Sequence, residues 1–538
     1  MGKEIELPNI PEEEQSPLVK ELLVRIEQLA QSVQRQAEEI QQLKDEIAVL
    51  KGEKKRPKFK SSKMEQQAGT DKDENDKNGE GGKRPGSQKR SKTQQLKIDE
   101  EKVIEPSESI PEGSRFKGYR DFVVQDLVIR AHTIRYRLAR WETPAGETLI
   151  GRLPESVEKR HFGPGLVSYI LYQHHHCQVT QALLLEQLRE WGIDISAGQI
   201  NELLLGDKER FHGEKDALLS AGLAGSSYVT VDDTGTRHQG KNGYVTHIGN
   251  DLFAWFKTTE SKSRINFLEL LRQAHTDYRV DEQALAYMKQ QRLAQVPLER
   301  LRQHQAHRFP DQEQWEEHLT HLEITTQRHR RIATEGALLG SVLHQGLSPQ
   351  LAIISDDAGQ FNIQLHGLCW IHTERLVHKL IPLNDYHRQD IARVRSQIWS
   401  LYADLKAYKA RPRADCKAQL QTRFDAIFTQ RTRFETLNQT LKRIYRNKSE
   451  LLLVLDRPDV PLHTNASEGD IREYVKKRKI SGGTRSAPGR QCRDTFASLK
   501  KTCRKLGISF WDYLRDRVSH AHEIPSLPEL VHQRAAAQ

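Results

Sequence analysis

Three acidic clusters follow one another along the chain: Asp232-Asp233 after Tyr228-Val229-Thr230-Val231, Asp356-Asp357 after Leu351-Ala352-Ile353-Ile354-Ser355, and Glu468 in Asn465-Ala466-Ser467-Glu468. The first two close apolar, β-branched runs that read as buried strands. Carboxylates brought together from rigid elements are the hard oxygen ligands that two Mg²⁺ ions, or Mn²⁺ in their place, need for phosphodiester chemistry. Successive strand residues point to opposite faces, so one acid of each pair faces such a site; the reading favours Asp232 and Asp356 over Asp233 and Asp357. Glu468 has a plainer explanation as well. Three residues after Asn465, it could reach back to that backbone N–H as a capping box.

The elements that must position these acids follow from the pattern around them. Residues 228–231, 243–249 and 252–258 read as three strands joined by short turns, and 264–273 as a helix. After a helical insertion over 274–345, a fourth strand at 351–354 leads into Asp356. Three meandering strands and a fourth beside the first give the order of a ribonuclease-H-like sheet, with Asp232 and Asp356 on neighbouring strands. A second helical insertion, 369–455, carries Ile391, Val394, Ile398, Leu401, Leu405 and Tyr408, then Leu437, Leu441 and Ile444, all at helical spacing. The last part of the core, 456–515, would hold the helix with Glu468, a Gly482-Gly483 turn and a closing helix with Phe496, Leu499, Cys503 and Leu506, stopped by Gly507.

Upstream, Val19, Ile26, Val33, Ile40 and Ile47 alternate in a heptad with Leu22, Leu29, Leu43 and Leu50, with Gln36 the exception. β-Branched residues in one series and Leu in the other favour a parallel two-stranded coiled coil over 1–51, hence a homodimer. The polar, basic composition of residues 52–95 predicts a disordered linker. Alternating segments at 126–130 and 133–138 suggest a small β module over 96–158. Residues 159–215 turn helical: one helix over 180–191, a break at Gly192, and a second helix capped by Ser196, in a helix-turn-helix layout. Its second helix is acidic and apolar, which weighs against reading DNA. His174-His175-His176-Cys177 favours a structural role over a metal site, since three consecutive residues cannot share a helical face. Residues 516–538 form a C-terminal tail.

Charge points to a polyanionic partner. The net +10 is made of +7 in residues 51–92 and +9 in residues 470–505, on a body that is otherwise acidic. Lys476, Lys477, Arg478, Lys479 and Arg485 are dense enough to read as phosphate contacts. Arg472 fits equally a DNA phosphate or an ion pair with Glu468 one turn back. The five cysteines, at 177, 369, 416, 492 and 503, form no C-x-x-C pair, so no compact zinc site or disulfide framework is indicated. With no apolar signal region and no run of about 18 apolar residues, the expectation is a cytoplasmic, nucleoid-associated protein without a membrane.

These residues resemble the DDE transposases of the insertion-sequence 66 family. The likeness spans roughly 160–515 and rests on Asp232-Asp233-Thr234, Ser355-Asp356, Cys369-Trp370-Ile371-His372 with Arg375, and Asn465-Ala466-Ser467-Glu468 with Arg472 and Arg478-Lys479. The resemblance implies that Asp232, Asp356 and Glu468 are catalytic, hold two Mg²⁺ ions, cleave insertion-sequence ends and transfer the strands into target DNA, with small accessory proteins as further partners. Three departures stand out. Residues 96–150 have no cysteine where many members carry a zinc-binding segment, Asp233 replaces the usual Glu, and the 124 positions from Asp232 to Asp356 exceed the usual separation. The expected fold class is thus α/β: a ribonuclease-H-like catalytic core with helical insertions, preceded by a coiled coil and a small β module. A nuclease of the same fold, or a catalytically silent DNA-binding descendant, are the rival readings. For Cys369 and His372, packing and hydrogen bonding are favoured over metal binding.

Overall fold

A computed structural model of the chain describes residue 25, residues 97–154, residue 157 and residues 161–537. The coiled coil expected over 1–51 (Arg25 apart) and the linker over 52–95 lie outside the described residues. The chain falls into two units, one holding Pro57–Ile134 and Trp191–Ile193, the other the remaining residues.

In the first unit, residues 97–134 form neither helix nor strand, and apolar side chains such as Ile104 and Phe122 are exposed. The strands expected at 126–130 and 133–138 are not formed. Alternation supplies an apolar face, but a strand persists only when a second layer covers that face. Among the described residues, the one hairpin of the expected β module belongs to the second unit, β1 (Arg140–Glu142) paired antiparallel with β2 (Thr148–Ile150).

The second unit then enters four helices: α1 (Pro164–His175), α2 (Gln181–Glu190), α3 (Ala197–Leu205) and α4 (Glu209–Ala224). Ser196 starts α3 with a full capping box. Its hydroxyl accepts from Gln199 N at 3.2 Å, and the Gln199 side chain accepts from Ser196 N at 2.8 Å. Leu184 and Leu188 of α2 and Ile200 and Leu204 of α3 are buried, as helical spacing requires.

The fold is mixed α/β around one five-stranded sheet. Strands β3 (Tyr228–His238), β4 (Lys241–Gly249) and β5 (Ala254–Thr259) form an antiparallel meander. A two-stranded ribbon, β6 (Tyr278–Arg279) with β7 (Arg308–Phe309), lies in the first helical insertion, whose longest helix is Gln327–His344. Strand β8 (Ala352–Ser355) returns parallel to β3, and β9 (Leu365–Leu368) extends the sheet parallel to β8. The fourth strand lies beside the first, in the order read from the sequence. One detail differs. β3 does not stop at Asp232 but continues to His238, because Thr234 and Thr236 keep pairing with Val245 and Gly243 of β4.

The second insertion holds α5 (Trp370–His378) and the helices Asp385–Ala410, Ala414–Phe428 and Glu435–Arg446. Its periodic residues, from Ile391 to Tyr408 and from Leu437 to Ile444, join Trp370 and Phe424 in one buried cluster. Helix α6 (Asn465–Ser481) then lies on the sheet, packing Ile471 and Tyr474 against Val245, Ala254 and Phe256.

Helix α7 (Ala487–Lys505) covers the open edge of the sheet. An edge strand leaves every second N–H without a partner, and each such group buried away from water is costly. Here Thr502 Oγ1 accepts from Ala254 N at 3.1 Å, Ser498 Oγ from Phe256 N at 2.9 Å, and Asp494 Oδ2 from Thr258 N at 2.7 Å. The four-residue helical step thus matches the two-residue strand step. Gly507, at φ +66°, ends α7 as expected, with Ile508 N donating to Cys503 O at 2.8 Å. No helix among the described residues is long and apolar enough to cross a membrane.

Candidate active site on the sheet

Register decides which acids meet. The pairs Tyr228↔Ala352, Val229↔Ile353 and Thr230↔Ile354 keep a constant offset of 124 positions, the same offset that separates Asp232 from Asp356. Asp356 therefore follows β8 level with Asp232 on the adjacent strand. Thr230 shares a face with Asp232, two residues on. That face lies under α6, because Ser467 Oγ donates to Thr230 Oγ1 at 2.6 Å. Ser467 immediately precedes Glu468, so the bond brings the third acid to the side of the sheet that Asp232 faces.

The rival acids are engaged elsewhere. Asp233 points the other way, accepting from Gln360 Nε2 at 2.7 Å and Thr246 Oγ1 at 3.5 Å. Asp357 turns to the second insertion, where Arg443 and Asn447 bind it. Asp356 accepts from Ala358 N at 3.1 Å.

Glu468 does not make the capping box that its spacing from Asn465 suggests. Thr464, not Asn465, is the N-cap residue, without a side-chain cap. The Glu468 carboxylate instead lies 3.4 Å from Arg375, 3.4 Å from His372 Nε2 and 3.1 Å from Arg472. Arg472 thus forms the ion pair one turn along α6, on an exposed side chain. His372 and Arg375 come from α5, whose start is pinned by Cys369 N donating to Ser355 O at 2.9 Å and by the buried Trp370 ring donating to Leu451 O at 2.9 Å. Sequence reading gave Arg375 no role. It is 93 positions from Glu468, and only the packing of α5 against α6 shows the pair.

The electrostatics show an excess of negative charge. Burial pushes the Asp232 carboxyl up to about 7, and the Asp356 and Glu468 charges add to it, against the bond from Asp233 N and the attraction of His372. Burial disfavours a charged His372, but the adjoining Cys369 and the Glu468 charge outweigh it and raise its pKa. Among the described residues, no three of His, Cys, Asp or Glu stand together as they would around a metal ion. In type and charge the acids nevertheless suit Mg²⁺: all are hard oxygen donors, and Asp232 is a half-buried carboxyl short of positive charge. In arrangement, the cations that meet Glu468 are Arg375 and Arg472.

The expected phosphate contacts separate along α6. Arg472, Lys476 and Lys479 are exposed and follow Glu468 at steps of four, four and three, so they form one stripe. Beyond the Gly482-Gly483 turn, Arg485 is exposed too. That turn requires glycine: Gly482 has φ +67°, and a Cβ on Gly483 would meet Arg237 O at 2.5 Å. Arg478 is half-buried. Lys477 is buried, its ammonium donating to His174 O at 2.7 Å.

A sheet that sets paired acids level on adjacent strands, with a helix adding a third, defines a mixed α/β protein with a candidate carboxylate site. The chain matches a family model described as "Transposase IS66 family" over residues 299–491, a span that includes Asp356 and Glu468. It is also 45% identical over 303 residues to the uncharacterized protein y4jO of Sinorhizobium fredii, covering 56% of this chain and 94% of that protein. The chain belongs to the IS66 transposase family.

Proposed function

We propose that the chain cuts DNA strands at the ends of an insertion sequence and joins the exposed 3′-hydroxyls to target DNA. In this reading the core is ribonuclease-H-like, and Asp232, Asp356 and Glu468 hold two Mg²⁺ ions, with Mn²⁺ able to substitute. The observation that carries it is the parallel register of β3 and β8, which sets Asp232 level with Asp356 under the helix that bears Glu468. Bound there, divalent ions lower the pKa of an attacking water or hydroxyl and meet the charge on the leaving oxygen.

The remaining work falls to the chain's own side chains. The Ser467–Thr230 bond fixes the height of α6 over the sheet. The stripe of Arg472, Lys476 and Lys479, continued by Arg485 and the half-buried Arg478, meets DNA phosphates and sets the strand's path past the carboxylates. A phosphate that engages Arg472 competes with Glu468 for its guanidinium, so DNA binding frees one of the contacts that hold the carboxylate.

The test is a Mg²⁺ reaction of full-length protein with labelled DNA carrying the element's ends. Joined products are expected from the native chain, and Asp232→Asn is expected to bind DNA without cutting it. Cleavage with no joining would identify a nuclease instead. Unaltered cleavage by Asp232→Asn would remove the carboxylate site from the mechanism.

A further inference from the structure

Behind α6, on the side away from Glu468, lies a cavity of about 430 Å³ between α1, α3 and the start of α7. That volume is within the range of small-molecule sites, about 300–1,000 Å³. Of the residues that line it, Arg485 alone has a role assigned above.

Its charge is unbalanced. Lys500 and Lys501 are matched by Glu473 and Asp470. Lys477, Arg493 and Arg485 also line the cavity, and no carboxylate pairs with them among the described residues. Lys477 donates to His174 O, while Arg493 donates to Gly482 O at 2.8 Å and Ser481 Oγ at 3.3 Å, so their partners are neutral. Burial, with Arg493 and Lys500 beside it, pushes the Lys477 ammonium down to about 7. A buried cation with only neutral partners is costly, and a bound anion offsets that cost. Helix α7 opens on the same space with no acidic residue in its first turn.

The opposite wall is polar and neutral. It carries Gln178, Gln181 and Asn201, together with His175, whose Nε2 is buried without a hydrogen-bond partner. His175 stacks on Phe496 at 4.0 Å, which holds the ring in place. Burial and the neighbouring His174 keep it neutral, so Nε2 can take part in a hydrogen bond that none of the described residues provides. The apolar floor is Phe256, Leu205 and Ala497.

We propose that this cavity binds a nucleoside monophosphate unit, its phosphate against Lys477 and Arg493 and its base against His175, Gln181 and Asn201. An anionic end, a flat apolar floor and a wall of amide and imidazole groups match those three parts, and the cavity is too large for phosphate alone. The unit can come from a free nucleotide or from an unpaired nucleotide at a DNA strand end.

Calorimetric titration of the full-length protein with dAMP, deoxyadenosine and inorganic phosphate tests this. dAMP is expected to bind, with deoxyadenosine and phosphate each weaker by about 10- to 100-fold. Lys477→Met should weaken dAMP by a similar factor without lowering the unfolding midpoint, since it removes an uncompensated buried charge. Asn201→Leu, on the exposed rim, should weaken dAMP and leave phosphate unchanged. No binding of dAMP at millimolar concentration, phosphate as tight as dAMP, or dAMP affinity unchanged in both variants would overturn the proposal. Displacement of dAMP by a duplex with one unpaired 5′-phosphorylated adenosine, and not by a blunt duplex, assigns the DNA end; displacement by neither assigns the free nucleotide. Both results keep the site.

Discussion

The two sides of helix α6 carry opposite electrostatic problems. Near its start, Asp232, Asp356 and Glu468 crowd negative charge against the sheet, and the Asp232 carboxyl is pushed up to about 7. Three turns on, Lys477 faces Arg493 and Lys500 in the cavity behind the helix, and its ammonium is pushed down to about 7. A buried carboxyl on α7 shows the other case: burial raises its pKa as well, but protein donors meet it. Asp494 accepts from Thr258 N at 2.7 Å, Thr258 Oγ1 at 2.8 Å and Tyr474 OH at 2.7 Å, and so serves the sheet edge. Buried charge met by protein donors is structural; buried charge of one sign left to repel its neighbours marks a place for a ligand of the other sign.

The largest expected effect breaks the first side. Glu468→Gln keeps the shape and removes the charge, and should reduce Mg²⁺-dependent strand cleavage by at least about 10²- to 10³-fold, the scale of losing one preorganised electrostatic group. Gel assays of labelled ends would read it, and a loss under tenfold would take Glu468 out of the site. Next is the buried carboxyl on α7. Asp494→Ala leaves Thr258 N buried without an acceptor and the Tyr474 hydroxyl with only Thr258 Oγ1, 3.2 Å away, and should cost about 2–4 kcal/mol of stability, seen as a lower urea midpoint with DNA affinity unchanged.

Ligand linkage gives a smaller effect on the acidic side. Mg²⁺ at 10 to 100 times its dissociation constant should stabilise the native chain by about 1–3 kcal/mol, and Asp232→Asn should lose that gain in thermal melts. On the basic side, the folded pKa of Lys477 lies below the unfolded lysine value of about 10.4. The unfolded state then binds more protons between pH 7 and 10, so stability contributed by this group rises with pH across that window. The native chain should gain about 1–3 kcal/mol from pH 7 to 9 relative to Lys477→Met; equal pH dependence would show that Lys477 is not buried as a strained cation. Smallest is Arg472→Ala. An exposed ion pair contributes no more than about 1 kcal/mol, so stability should hardly move, while the salt dependence of DNA binding should fall by about one phosphate contact.

Much of this was legible in the residues. Apolar runs at 228–231 and 351–354 gave two neighbouring strands, and helical spacing from Ile391 to Ile444 gave the insertion, because both signals are local and periodic. The small β module was less legible. Alternation at 126–138 marks a face able to bury itself, but whether anything covers it is not written in the segment. Lys477 and Lys476 are adjacent in the same basic run, and only the packing of α1 against α6 sends one inward to His174 O. Arg375 was visible as a residue but not as a partner of Glu468, since a contact across 93 positions has no local signature.

By itself the sequence determined the chemistry on offer: three carboxylate clusters at the ends or starts of regular elements, a concentrated basic run, and the periodicities that build a sheet with helical insertions. Tertiary structure decided which charges meet. The 124-position register of β3 and β8 set Asp232 level with Asp356, the pleat turned Asp233 away, and the packing of α5 against α6 gave Glu468 a second arginine, Arg375, beside Arg472 of its own helix. Periodicity is fixed by neighbours along the chain, whereas register and helix packing are set by burial and hydrogen bonds between segments far apart in it.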